Sequence, residues 1–131
     1  MPIVNLGLHP SLPALLLLAL SLSFSSVARS AVDTSAAEAL AKSSGCNKCH
    51  AVEKKKDGPA FRDVAANFRG DTEAIKKIHF HITSGEKVKF DDGHEEEHKK
   101  VKSKDETEIG NLIDWILSLE RGSKYTPNHG Q

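Results

Sequence analysis

Residues 46–50 read Cys46-Asn47-Lys48-Cys49-His50, and this pentapeptide decides how the rest of the chain is read. Two thiols three positions apart can add to the two vinyl groups of one haem. A histidine directly after the second thiol then reaches the iron, which is the attachment pattern of a c-type haem. The chain has 2 cysteines in all, so both are used here. Other uses fit less well. A thioredoxin-like redox pair needs a βαβ setting, and no convincing strand is readable. A disulfide across so short a loop removes little entropy from the unfolded chain. A zinc site could complete Cys46 and Cys49 with His94 and His98, but the stretch between the halves far exceeds the about 12–15 residues of a finger. One covalent haem c, with its iron, is the expected cofactor.

Upstream, Ala14 to Leu22 is almost wholly apolar. It is shorter than the about 20 residues that span a bilayer and matches the apolar centre of a secretory signal. Ala28 and Ser30 stand at the −3 and −1 positions of a cut before Ala31, and Ser26 and Ala28 do so for a cut before Arg29. The residues ahead of it, Met1 to Pro13, carry no Lys or Arg, so a misassigned start, an uncleaved anchor and a buried core helix are the other readings. Residues 1–30 are read as the signal, 31–122 as one domain and 123–131 as a polar tail, in which His129 is read as part of a flexible end. Export to the periplasm follows, with no membrane span in the mature chain. That chain is short for a self-sufficient core, and a covalent cofactor would help to complete it.

The 131 residues carry 18 Lys+Arg against 18 Asp+Glu, a formal net charge of +0. With no long basic stretch and no interleaved aromatics, nucleic acid is excluded as a main partner. The domain reads as all-α. Thr34 or Ser35 caps a helix to about Ser44, closed by Gly45. Pro59 to Asn67 forms a short helix after the Asp57-Gly58-Pro59 loop. Asp71 or Thr72 caps a helix from Glu73 to about Ser84, closed by Gly85. Ser103-Lys104-Asp105-Glu106 reads as a capping box. Behind it Ile109, Leu112, Ile113, Ile116 and Leu119 follow the helical period, with Trp115 beside them as core and Gly122 as the stop. Glu86 to Glu108, which runs from the end of that third helix into the start of the last, holds nine acidic and six basic residues, and most of these charges read as solvated.

From Gly45 to Leu119 the chain resembles a class I cytochrome c, the small bacterial type that carries electrons in the periplasm. The matching stretches are Gly45 to Glu53, Gly58 to Ala66 and Leu112 to Leu119. The resemblance implies N- and C-terminal helices that cross and pack around one covalent haem, with Leu40, Leu112, Trp115 and Ile116 at the crossing. It implies that Cys46 and Cys49 hold the haem and that His50 is the proximal ligand. The Pro59 carbonyl would accept from the other His50 nitrogen, and such partners tune a metal. It further implies that His81, more than its helix neighbour His79, contacts a haem propionate.

The distal side departs from the family, which normally supplies a methionine there. The single methionine is Met1, which leaves with the signal. Counting back from the last helix puts the vacant position at His98; counting forward from Gly85 puts it at His94. His98 is preferred as the distal metal ligand. Were this segment helical, the two would share a face. Lys99, His79, His81 or no strong ligand are the other options.

Two functions follow. One is a monomeric electron carrier, not an enzyme, with His50 and a second histidine on the iron, serving redox partner proteins at a lowered potential. Lys48, Lys54, Lys55 and Lys56 would steer an acidic partner. The other is an open or displaceable distal position that binds a diatomic gas or reacts with peroxide.

Overall fold

The computed structural model describes residues 1–2 and 31–119. The expected signal segment, the stop at Gly122 and the polar tail lie outside the described residues. Helix α1 is Thr34–Ser44, α2 is Phe61–Asn67, α3 is Ala74–Ser84 and α4 is Glu106–Ser118. Among the described residues no helix is long and apolar enough to cross a membrane.

α1 packs on α4, and α2 and α3 pack on α4 as well. The 3.6-residue spacing of Ile109, Leu112, Ile113 and Ile116 puts them on one buried side of α4, with Trp115 buried beside them. Ala37 and Ala41 face them from α1, and side chains this small let two helices approach closely. Leu40 is half-buried at the margin of this core. The start of α1 is fastened to α4 by a pair of hydrogen bonds. Asp33 N donates to Asn111 Oδ1 and Asn111 Nδ2 donates to Asp33 O, each at 2.8 Å.

The helix starts differ from the sequence reading by a residue or two. Asp33, not Thr34 or Ser35, caps α1, its carboxylate accepting from Ala36 N at 2.9 Å. Asp105, not Ser103, caps α4 by accepting from Thr107 N at 2.7 Å. Ser103 Oγ instead accepts from Asp105 N and donates to Glu108. Both corrections have one cause. An ionised carboxylate is a stronger acceptor than a hydroxyl and suits the positive end of the helix dipole. α1 and α3 do close where expected, on Gly45 (φ 80°) and Gly85 (φ 72°), in the left-handed conformation glycine adopts without strain.

The charged segment read as solvated holds a small antiparallel hairpin. Strand β1 (Lys87–Lys89) pairs with β2 (Glu95–Glu97), matching Lys87 with Glu97 and Lys89 with Glu95. These are opposite charges across strands, a stabilising pairing. The register continues to His98, whose N–H donates to Glu86 O at 2.9 Å. His94 and His98 therefore do not share a helix face.

Candidate haem site

Residues 46–48 form one 3₁₀ turn directly after α1. The Cys49 and His50 N–H groups both turn back to Cys46 O, at 3.2 and 2.9 Å. The turn opens onto a cleft of about 380 Å³ between α2, α3, α4 and the segment after β2. Its wall is mainly apolar, from Phe61, Val64, Phe68, Ile78, Ile82, Leu112 and Ile116, and includes Cys46, His50, Pro59, His81, Glu86 and His98.

His50 is fixed on three sides. Its Nδ1 donates to Pro59 O at 2.7 Å, which leaves Nε2 with the lone pair. Phe61 stacks on the ring at 5.2 Å between centres. Gly58 lies so near that a Cβ there would be 2.5 Å from the ring carbon Cε1. Phe61 in turn meets Trp115 edge to face at 5.5 Å, which ties this ring stack to the α4 core. Burial pushes the His50 imidazole below its ordinary pKa, against the pull of the Pro59 hydrogen bond. Burial likewise pushes the Cys46 thiol up.

His98 faces His50 with 6.1 Å between ring centres. Metal–imidazole bonds of about 2 Å on each side would place two such rings about 6 Å apart, so the pair has the spacing of two ligands to one ion. Burial, with His81 and His50 alongside, pushes the His98 imidazole down to about 4. A neutral ring is the form that binds a metal. His81 is 4.0 Å from His98, centre to centre, and its Nδ1 donates to Glu86 Oε1 at 2.5 Å.

The other histidines lie elsewhere. His94 is in the hairpin turn, stacked on Phe90 at 4.3 Å and hydrogen-bonded to Asp92. That bond holds its imidazole above the ordinary range. His79 Nε2 donates to Glu106 at 2.8 Å, joining α3 to α4 outside the cavity. Cys49 sits beside the turn but is not part of the cavity wall. The set that meets at the cavity is thus Cys46, His50, Pro59, His81 and His98. An apolar cleft with two facing imidazoles and a thiol at its edge fits a haem.

Sequence reading singled out neither Gly58 as the contact that seats His50 nor Glu86 as the partner of His81. Gly58-Pro59 signalled a turn, but nothing in a sequence says what approaches a glycine. Glu86 is one carboxylate among many in a charged stretch.

Comparison with known proteins identifies the family. The model of the cytochrome c family matches residues 35–120. Cytochrome c-551 of Allochromatium vinosum is 36% identical over 80 residues, 61% of this chain and 82% of that one. The crystal structure of class 1 cytochrome MtoD from Sideroxydans lithotrophicus ES-1 is 54% identical, with a TM-score of 0.65, covering 68% of this chain and 98% of that one. Wild-type cytochrome c552 of Nitrosomonas europaea is 29% identical with a TM-score of 0.50, covering 63% and 98%. The chain belongs to the cytochrome c family, and its fold is that of the class I cytochromes. Members carry one covalently bound haem c and transfer electrons.

Proposed function

We propose that the chain is a periplasmic electron carrier whose single haem is held by Cys46 and Cys49 and bound through iron by His50 and His98. The observation that carries this is the facing of His50 and His98 across the apolar cavity at 6.1 Å. The bound haem supplies a one-electron couple at its iron. The protein supplies the rest. Pro59 fixes which His50 nitrogen bears the proton, as such partners do for metal-binding histidines. Ile78, Ile82, Leu112 and Ile116 give the site an apolar wall, and His81 with Glu86 provides the polar edge at which a haem propionate would lie.

His50 and His98 together would hold the iron low-spin in both oxidation states, so that little would rearrange on electron transfer. A histidine in place of methionine also lowers the reduction potential, which suits a lower-potential partner. Lys48 and Lys54 are exposed beside the attachment segment and would draw in an acidic partner by long-range attraction.

Ferric optical spectra of the matured protein, His98→Ala and His94→Ala test the ligand assignment. His98→Ala is expected to turn high-spin while His94→Ala keeps the low-spin spectrum of the parent. The reverse pattern, or no change in either variant, would overturn it.

A further inference from the structure

His98 differs from His50 in how it is held. No hydrogen bond reaches its Nδ1, which is buried, whereas the His50 ring is fixed by Pro59. The position of His98 rests on the contact of its ring with His81, 4.0 Å away centre to centre, and on the backbone on either side of it. Residues 98–102 run as a strap across the C-terminal ends of two helices. On the α3 side, His98 N donates to Glu86 O at 2.9 Å and Val101 N donates to Ile82 O at 2.8 Å. Val101 anchors the middle of the strap in the core. On the α1 side Lys102 N donates to Ser44 Oγ at 3.0 Å.

Ser44 is one of the few polar residues buried in the described structure. It is the last residue of α1, two positions before Cys46. A buried hydroxyl without a role costs free energy. This one joins the helix that delivers the haem-attachment turn to the strap that delivers the opposite histidine.

We propose that Ser44 is a positioning residue for His98, holding the strap so that the imidazole stays over the iron. This rests on the assignment of His98 as the distal ligand. In Ser44→Ala the Lys102 N–H loses its acceptor, the strap opens more often, and His98 leaves the iron more readily. In Ser44→Thr the acceptor is kept.

The test is CO binding to the reduced, matured protein, since CO can bind only when His98 has moved away. Ser44→Ala is expected to bind CO about tenfold faster than the parent, the factor that one lost hydrogen bond to a partly buried N–H supports. Ser44→Thr should restore the parental rate, and the thermal midpoint of each variant reports general destabilisation separately. If Ser44→Ala lowers the midpoint but leaves CO binding unchanged, Ser44 is structural and the inference is overturned. His98→Ala separates the two claims. If it binds CO at once while Ser44→Ala behaves as the parent, the ligand assignment stands and only the positioning role falls. If His98→Ala binds CO no faster than the parent, both fall.

Discussion

His50 and His98 reach one cavity by different means, and the difference decides what each substitution should do. The His50 ring is sandwiched between Phe61 and the Gly58 backbone. Gly58→Ala would drive a methyl group into the ring at 2.5 Å. Overpacking of this kind costs about 1–3 kcal/mol, so urea unfolding of Gly58→Ala should show that loss against the parent. Exchanging His98 breaks no hydrogen bond at its Nδ1. His98→Met should raise the midpoint potential, the direction in which methionine ligation acts, axial ligands setting potentials over a range of about 0.8 V. A redox titration of the two proteins side by side measures it, and an unchanged or lowered potential would contradict His98 as the ligand.

Among the elements, α4 carries most of the core, and α1, α2 and α3 pack on it. Leu112 is 1% exposed, packs in the core and also lines the cavity. Leu112→Ala is expected to cost about 2–5 kcal/mol in denaturant unfolding and to loosen the cavity wall. These helices were legible because their apolar residues recur every three or four positions and glycines close α1 and α3. Their caps were less so. Asp33 stands directly before Thr34 and Ser35, and Asp105 two positions after Ser103, so several residues of capping type compete over a short span. The hairpin was illegible for a different reason. Its strands are three residues each, KVK and EEE, with one apolar side chain between them. A strand is normally recognised by alternation of apolar and polar residues. Here pairing rests on opposite charges brought together by the fold, so its signal exists only between segments. The same holds for His98. Its place in the order of the chain was countable, but its spacing from His50 came from how the strap is tied to α1 and α3.

On the scale of the whole molecule, the charges are balanced and most are solvated, so electrostatics tunes stability locally. Asp71 shows the sign. Hydrogen bonds from Lys77 and from Glu73 N hold its carboxyl below the usual range. A depressed carboxyl contributes stability that is fully present above its unfolded pKa, near 4, and is lost as pH falls through its lower folded value. Asp71→Asn removes that contribution. Thermal midpoints measured between about pH 2 and pH 5 should therefore fall less steeply for the variant than for the parent. Equal slopes would show that the Asp71 contacts contribute nothing in solution. In the proposed reading, the strap, the attachment turn and the α4 core act together on one result, an iron that His50 and His98 would hold between two nitrogens. The most direct measurement of that result is the optical spectrum of the matured protein, oxidised and reduced, before and after adding CO. The account predicts low-spin spectra in both states, with CO taken up only slowly as the strap opens. A high-spin reduced form that binds CO at once would contradict it and point to gas binding or peroxide chemistry at an open iron.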